Sequence, residues 1–271
     1  MRAVALLAVF NEERFIAACM DHLIAHGLQV YVIDNGSTDR TAAIAQSYRG
    51  CGLLGIEAVP RHGIYTWQPL LERKEELALT LDADWFMHVD ADEFRLPPRG
   101  GCTLAEAFGE VERAGCNAVN FLEFAFVPTV EAPDHDHPGF QRTMRSYYAF
   151  TPPVFPNRLN AWKKQAERVE LAWSGGHQVR FSGLRMYALS FPMRHYLYLS
   201  VPHAVRKYID RTYDPAELER GWHRSRAGLR RESVILPRQS ELHAYTDDAA
   251  LDASNPRTRH ALFAAGAMEI A

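Results

Sequence analysis

The segment formed by residues 85–95, WFMHVDADEFR, constrains the fold more than any other stretch of this chain. Five residues suited to a buried strand lead directly into Asp90 and Asp92, with Glu93 behind them. In an extended chain the side chains alternate with a period of two, so the two aspartates project to the same side. Ligands of open parallel sheets bind beyond the carboxyl ends of the strands, which is where this pair falls. Because one of two adjacent carboxylates would otherwise be driven to protonate, the pair indicates a divalent-cation site.

A second Asp-Ala-Asp triplet, Asp82 to Asp84, lies at the entrance of the same predicted strand. Its composition matches that of the later pair, so only position separates the two. The entrance of a strand faces away from a crevice at the carboxyl ends, and we therefore interpret Asp82 and Asp84 as solvated turn residues.

Strand and helix signals alternate through the N-terminal half. Apolar, β-branched runs predict strands at residues 3–10, 30–33, 56–59, 85–89 and 117–127. Helical spacing predicts helices at residues 12–26, from a cap at Ser37 or Thr38 to about residue 48, at 68–81 and at 103–114. Repeated β-α-β units of this length predict an α/β fold with a mostly parallel, twisted sheet covered by helices on both faces.

Polar residues follow the ends of four of these strands. They are Asn11 and Glu12, Asp34 and Asn35, Arg61 and His62, and Asp90 and Asp92. Together they describe the rim of one crevice. Taken singly, each has a simpler explanation as a loop or cap residue, and for residues 34–39 that explanation is strong because Asx turns use the same residue types.

Composition and missing motifs exclude several classes of protein. The net charge of -3 does not indicate a nucleic-acid partner. The four cysteines have no C-x-x-C spacing, which argues against a zinc knuckle and predicts a cytoplasmic protein with reduced thiols. The first strand is too short and lacks the cleavage site of a signal peptide, and no apolar run reaches the roughly 18 residues that a membrane span needs. There is no G-x-G-x-x-G, no P-loop and no G-x-S-x-G elbow.

Three motifs in order, NEERFIAACMDHLIAHG, VYVIDNGSTDRTAAIA and WFMHVDADEF, resemble the nucleotide-sugar-binding half of family 2-type glycosyltransferases with the GT-A fold. The resemblance covers about the first 127 residues. A later segment, HYLYLSVPHAVRKYIDR, is similar to one found in bacterial members whose metal motif ends in DADEF. The resemblance implies a metal-dependent enzyme that transfers a sugar from a nucleoside diphosphate to a saccharide or glycolipid hydroxyl, with inversion.

The resemblance also assigns roles to residues of this chain. It implies a Mn²⁺ or Mg²⁺ ion on Asp90 and Asp92, with His195 or its competitor His177 completing the metal shell. The donor-binding residues that we predict are Asn11, Glu12, Asp34, Asn35, Arg61, Lys74 and Asp90. The usual Glu-Asp base of the family is absent, which leaves Glu93, Glu167 and Glu170 open as the base. For Glu93, a salt bridge to Arg95 or a helix N-terminal position is the alternative. We also predict a catalytic role for His177, for which contact with the acceptor remains an alternative to metal binding.

The second half of the chain is harder to interpret. Six prolines between residues 128 and 156 predict an irregular segment, which we interpret as a lid over the acceptor. Residues 134–137, DHDH, have zinc-ligand chemistry, but no further cluster with zinc spacing accompanies them. Residues 194–231 hold nine Lys and Arg against four Asp and Glu. A solvated basic face explains this excess, with attraction to an anionic acceptor or peripheral contact with the inner face of a membrane as the alternatives.

These observations predict a division into a nucleotide-sugar-binding half at 1–127, an acceptor-side half of the same domain at 128–212 and a helical tail at 213–271. The alternative to an enzyme is a non-catalytic nucleotide- or carbohydrate-binding protein on the same scaffold, since the Glu-Asp signature is missing.

Overall fold

The computed structural model describes residues 1–264, which fall into two compact units. Unit 1 comprises Met1–Arg61, Trp67–Leu122 and Phe155–Met193. Unit 2 comprises His62–Thr66, Glu123–Val154 and the chain from Arg194 onward. The division at 1–127, 128–212 and 213–271 stays a prediction, and the end of its helical tail, 265–271, lies outside the described residues.

The strands are β1 Ala3–Val9, β2 Leu28–Asp34, β3 Leu53–Ala58, β4 Trp85–Val89, β5 Glu93–Arg95, β6 Ala118–Phe126, β7 Ser146–Phe150, β8 Leu159–Lys163, β9 Phe191–Tyr196 and β10 His243–Ala244. The α-helices are α1 Ile16–Ala25, α2 Thr41–Gln46, α3 Gln68–Thr80, α4 Leu104–Arg113, α5 Phe140–Thr143, α6 Val201–Ala204, α7 Pro215–Glu219, α8 Arg224–Ala227 and α9 Ala261–Ala264. Up to residue 264, no helix combines the length and the apolar character that crossing a membrane requires.

Unit 1 is built on a sheet in which β3, β2, β1 and β4 run parallel. β8 pairs antiparallel with β4 and with the first part of β6. In the parallel register Val9 lies opposite Asp34, and Leu7 lies opposite Val89. The carboxyl ends of β1, β2 and β4 therefore meet at one edge of the sheet. The predicted α/β class, with a mostly parallel sheet flanked by helices, is confirmed.

The sheet forms because its central strands are apolar on both faces. Every residue of β1 and of β4 is buried, as expected for parallel strands with helices on either side. Helix α1 buries Ile16, Cys19, Met20 and Leu23, which lie at helical spacing. It begins at Ile16 rather than at residue 12, because residues 12–15 form a turn before it.

The start of α2 differs from the prediction. Its N-cap is Arg40 and makes no side-chain cap, so the predicted cap at Ser37 or Thr38 is wrong. Both residues bond instead to the loop after β1: the backbone N–H of Asn11 donates to Ser37 Oγ (3.0 Å), and the N–H of Thr38 donates to Asn11 Oδ1 (2.8 Å). The hydroxyl groups thus join two strand ends rather than terminate a helix.

Unit 2 contains a small antiparallel sheet. The second part of β6 pairs with β7, from Glu123↔Phe150 to Phe126↔Tyr147, and β10 pairs with the other edge of β7. As predicted from its prolines, most of 128–156 is irregular; α5 and β7 lie in residues 139–151, which contain no proline. Helix α6 follows Ser200: the N–H of His203 donates to Ser200 Oγ (3.2 Å), which caps the helix.

Candidate active site

Asp90 and Asp92 lie in a tight turn that joins β4 to β5. The N–H of Glu93 donates to the carbonyl of Asp90 (3.1 Å), and the N–H of Asp90 donates to Glu93 Oε2 (3.2 Å). The prediction that this stretch is extended is therefore wrong, since β4 ends at Val89 and the chain turns before β5 begins. The pair nevertheless lies at the carboxyl end of β4, at the sheet edge where β1 and β2 also end.

The surroundings of Asp90 disfavour the ionised form of its carboxyl group. Its Oδ1 is buried and has no hydrogen-bond partner in the described part of the chain. Burial, followed by the neighbouring charges of Glu93 and Asp92, raises the pKa of Asp90 to about 6, against an opposing effect of Lys74. A buried carboxylate oxygen without a donor is suited to a hard divalent cation, so these residues fit the predicted metal.

The protein supplies few further metal ligands. Within residues 1–264, no group of three His, Cys, Asp or Glu side chains is arranged to hold a metal ion. Asp92 is 5% exposed and belongs to the same turn as Asp90. The turn itself offers a bound ion the carboxylates of Asp90 and Asp92, and a further protein ligand stays a prediction.

A buried lysine lies behind the turn. Lys74 on α3 is fully buried, and its Nζ donates to Nδ1 of His88 (2.8 Å) and to the carbonyl of Val89 (3.3 Å). Burial lowers the pKa of Lys74 to about 8, while Asp90 and Glu93 counteract it. Burial, with the positive charge of Lys74, also holds the pKa of His88 well below its usual value. Because Nδ1 of His88 accepts, its hydrogen lies on Nε2.

A chain of buried polar contacts joins β5 to β8. Arg95 Nη1 lies 2.8 Å from Glu93 Oε2, which confirms the salt bridge considered as the alternative for Glu93. Arg95 Nη2 donates to Asn160 Oδ1 (3.0 Å), and Asn160 Nδ2 donates to the carbonyl of Gly176 (2.8 Å). Asn160 is 2% exposed, so its amide fixes β5 against the turn that contains Gly176.

The Ser-Gly-Gly-His turn, residues 174–177, packs directly against β4. The indole N–H of Trp67 donates to the carbonyl of Gly175 (3.0 Å). Gly176 has φ +88°, and a Cβ on it would lie 3.2 Å from His88 Nε2 and 3.1 Å from Leu71 Cδ2. A side chain at Gly176 is thus disfavoured by both backbone and space. The close approach brings the turn against the residue two positions before Asp90.

His177 follows this glycine pair and contacts a cation. The Arg158 guanidinium donates to Nδ1 of His177, and the ring of Phe155 stacks on the imidazole at a centroid distance of 6.3 Å. The arginine is a permanent donor, so Nδ1 accepts and the imidazole hydrogen lies on Nε2. His177 therefore presents a hydrogen-bond donor rather than a proton acceptor.

The loops after β1 and β2 form a bonded pair. Asn11 takes the left-handed conformation (φ +55°), and Asp34 Oδ1 accepts from the N–H of Ser37 (3.2 Å).

Asn35 is buried and holds Arg61. Its Nδ2 donates to the carbonyl of Val59 (3.1 Å), and its Oδ1 accepts from Arg61 (3.3 Å). The Arg61 guanidinium also lies 3.7 Å from the centroid of the Phe10 ring. The N–H of Glu12 donates to Thr41 Oγ1 (2.7 Å).

Two of the predicted acids belong to an open cleft of unit 1. Glu170 pairs with Arg180, and with Glu167 it lines an open cleft of about 660 Å³ formed by residues 165–168, 170 and 180–182.

His195 belongs to unit 2 and lies within β9. Its Nδ1 is 2.6 Å from Oε1 of Glu123, whose side chain is 1% exposed. His260 Nε2 lies 3.6 Å from the same oxygen, and its Nδ1 is 3.0 Å from the hydroxyl of Tyr148. Binding of His195 to a metal stays a prediction.

The comparison pair at the entrance of β4 behaves as expected. The Asp82 side chain is 98% exposed and pairs with Arg2 at 2.6 Å. Asp84 Oδ2 accepts from the backbone N–H of Arg2 (2.6 Å). Identical triplets at the two ends of one strand thus differ in burial and in partners, which confirms the interpretation of Asp82 and Asp84 as turn residues.

Sequence reasoning missed two buried polar residues of this site, His88 and Asn160, and the close packing of Gly176. A signal exists for His88, since it is the one titratable residue in the apolar run of β4. Asn160 and Gly176 gave no comparable signal, because their partners lie at other places in the chain and only the fold brings them together.

Residues 5–62 match the model of the family described as Glycosyl transferase family 2. The lipopolysaccharide core biosynthesis glycosyltransferase LpsC of Rhizobium meliloti (strain 1021) is 30% identical over 90 residues, which is 33% of this chain and 31% of LpsC. The match thus spans about a third of this curated relative. The resemblance seen in the motifs is confirmed for 5–62, the part that contains Asn11, Glu12, Asp34, Asn35 and Arg61.

Solved structures with similar folds include S. aureus TarS, with 13% identity and a TM-score of 0.41 over 73% of this chain and 37% of that chain. TarS 1-349 in complex with UDP gives 12% identity and a TM-score of 0.42, covering 73% of this chain and 61% of that one. The mannosyltransferase PcManGT from Pyrobaculum calidifontis, in complex with GDP-Man and Mn²⁺, gives 20% identity and a TM-score of 0.35, covering 60% and 44%.

Proposed function

We propose that this protein is a metal-dependent glycosyltransferase that moves a sugar from a nucleoside-diphosphate sugar to an acceptor hydroxyl with inversion. The observation that carries the proposal is the buried Asp90 oxygen without a partner, in a carboxylate turn at the carboxyl end of β4. The family match over residues 5–62 supports the same reaction class. A saccharide or glycolipid acceptor is supported by the name of LpsC, which assigns that relative to lipopolysaccharide core biosynthesis.

The donor nucleotide is assigned to the loops that follow β1 and β2. Asp34 and Asn35 end β2 beside Asn11 and Glu12, and their carboxylate and amide groups suit the hydroxyls of a ribose and the edge of a base. Arg61 is held against Asn35 and Phe10, where a fixed guanidinium suits a phosphate. Lys74 is buried, so we assign it to charge balance behind the turn rather than to a direct phosphate contact.

Asp90 and Asp92 are the residues that would hold a Mn²⁺ or Mg²⁺ ion, and we retain His195 as a proposed further ligand. When bound, the ion supplies positive charge to the diphosphate that leaves with the electron pair of the glycosidic bond. Glu93 and Arg95 neutralise one another behind the turn, so the negative charge that faces the ligand comes from the aspartates.

The acceptor hydroxyl must lose a proton as it attacks the anomeric carbon. His88 and His177 each present Nε2–H, so a carboxylate is the group left for this role. Of the acids predicted from the sequence, Glu93 is bonded to Arg95 and Glu170 to Arg180. We retain Glu93 and Glu170 as the proposed bases, each of which has to leave its arginine when the acceptor binds.

The experiment is a donor-hydrolysis assay with UDP-, GDP- and TDP-sugars, with and without Mn²⁺. We expect slow release of the nucleoside diphosphate from one donor class, dependent on the metal and lost in Asp92→Asn. The double variant Asp82→Asn/Asp84→Asn is the matched control, because it makes the same substitutions at the exposed end of β4 and should retain the wild-type rate. The rival, a non-catalytic binder, predicts that the donor binds without turnover.

A further inference from the structure

Trp173 is an exposed tryptophan of unit 1. It lies in a short 3₁₀ helix, Ala172–Ser174, and is 38% exposed. The other tryptophans of unit 1 are covered: Trp85 and Trp162 are fully buried, and Trp67 is 9% exposed. Because an indole in water forgoes the stabilisation that burial would give, an exposed tryptophan marks a candidate binding surface.

The indole is held in place by its surroundings. The Arg180 guanidinium lies 4.6 Å from its ring centroid, and Phe155 meets it edge-on at 5.1 Å. Ser174 Oγ donates to the carbonyl of Gln178 (2.8 Å) and accepts from the backbone N–H of Gln178 (2.8 Å), which closes the turn. A rigid aromatic face loses little conformational freedom when it binds a ligand.

Phe155 indicates that this arrangement is maintained at a cost. Its φ is +56°, a left-handed conformation that is unfavourable for a bulky residue. The conformation lets one ring contact both Trp173 and His177. Backbone strain of this kind is found where a ligand-binding arrangement has to be preorganised.

Hydrogen-bond donors adjoin the aromatic face. His177 is held by Arg158 so that its Nε2–H donates, and it lies against Phe155. A pyranose has an apolar face of C–H groups and an edge of hydroxyl oxygens. A flat apolar ring beside a fixed N–H donor complements both parts of such a molecule.

We propose that Trp173, Phe155 and His177 form the saccharide subsite of the acceptor, with the pyranose face on Trp173 and a ring hydroxyl accepting from His177 Nε2–H. This inference rests on the proposed glycosyl transfer, because that reaction needs an acceptor saccharide in addition to the sugar of the donor. The turn that follows Trp173 packs through Gly176 on His88, two residues before Asp90. The turn beside Trp173 is thus anchored on the strand that leads to the proposed metal site.

Tryptophan fluorescence tests the subsite without any donor or metal. In a Trp222→Phe variant, Trp173 is the most exposed of the remaining tryptophans, so acrylamide quenching reports chiefly on it. The probes are methyl α-D-glucopyranoside, methyl α-D-galactopyranoside, methyl α-D-mannopyranoside and the methyl glycoside of N-acetylglucosamine, with glycerol at equal concentration as a polyol that has no ring.

We expect at least one pyranoside to reduce the quenching constant and glycerol to leave it unchanged. The reduction should disappear when Trp173→Phe is added to Trp222→Phe. If none of the pyranosides protects, or if protection persists without the Trp173 indole, the subsite is wrong.

Kinetics then link the subsite to transfer. We expect Trp173→Ala to raise the acceptor KM by roughly three- to tenfold with less effect on kcat, as for loss of one aromatic stacking contact, and Trp173→Phe to recover most of the loss. Trp222→Phe is the control and should not change either constant.

An unchanged acceptor KM in Trp173→Ala overturns the subsite while leaving the transfer reaction intact. Absence of donor hydrolysis in the wild type overturns the proposed function. The fluorescence experiment uses no donor, so it still decides whether Trp173 binds a pyranoside.

Discussion

Replacing Asp90 by asparagine should stabilise the metal-free protein. The pKa of Asp90 rises from its usual 3.8 to about 6 on folding, because the carboxylate is buried and lies beside Glu93 and Asp92. Since one pKa unit corresponds to about 1.4 kcal/mol, the ionised form costs the folded state roughly 3 kcal/mol. Between about pH 4 and pH 6 the folded protein binds more protons than the unfolded chain, so stability falls as the pH rises through this window.

Urea unfolding in the presence of EDTA measures this effect. At about pH 8 the whole cost is present in the wild type, and we expect Asp90→Asn to be more stable by up to roughly 3 kcal/mol. Near pH 4, where the wild-type carboxyl group is protonated, the two proteins should unfold at similar urea concentrations. Asp82→Asn/Asp84→Asn is the control: those carboxylates are exposed and paired with Arg2, and their replacement should not stabilise the protein.

Mn²⁺ should remove most of this difference in stability. A ligand present at about 100 times its Kd stabilises the form that binds it by about 2.7 kcal/mol. The wild type should gain this stabilisation, and Asp90→Asn should gain much less. The reasoning is refuted if Asp90→Asn is no more stable than the wild type at about pH 8 in EDTA, or if Mn²⁺ stabilises both proteins equally.

Three further predictions concern other parts of the molecule. In the wild type, the free energy of unfolding should rise from about pH 8 to about pH 10.5, because over this range Lys74 binds a proton more readily in the unfolded chain than in the folded protein. Lys74→Met should abolish this rise, as measured by urea unfolding. Gly176→Ala should lower the free energy of unfolding by roughly 1–3 kcal/mol more than Gly63→Ala. Both glycines have positive φ, but only Gly176 has side chains within 3.2 Å of the position of a new methyl group. Equal losses of stability in thermal unfolding would contradict this prediction. His195→Ala should destabilise the protein by roughly 3–5 kcal/mol, because it removes the histidine that lies 2.6 Å from the buried carboxylate of Glu123. Glu123→Gln should destabilise it less. If urea unfolding shows Glu123→Gln to be the more damaging change, the His195–Glu123 pair is not the main contact of that carboxylate.

The parts of the fold that depend on local pattern were predictable. β4 has the predicted bounds because five consecutive residues suit a strand buried on both faces. Helix α3 begins at Gln68 as predicted, and Pro69 occupies its first turn, where a missing N–H costs nothing. The contrast between Asp84 and Asp90 was also predictable, because strand direction alone determines which end of β4 meets the crevice.

The details of the site depended on contacts that no local pattern encodes. Glu93 accepts from the N–H of Asp90 and so turns the chain where an extended strand was expected. Ser37 bonds to a residue 26 positions earlier instead of capping α2. Asn160 joins Arg95, 65 residues away, to Gly176. Each case is a polar group whose partner is selected by the tertiary structure, and propensity carries no information about that choice.

Two imidazoles of unit 1 direct Nδ1 at a cation, His88 at Lys74 and His177 at Arg158. Neither ring then has a nitrogen lone pair to offer a substrate. The ionisation that controls the acid limb of a rate profile should therefore have a small enthalpy, as carboxylic acids do, and its midpoint should scarcely move when the assay is warmed. An imidazole would reveal itself by a midpoint that falls steadily with temperature.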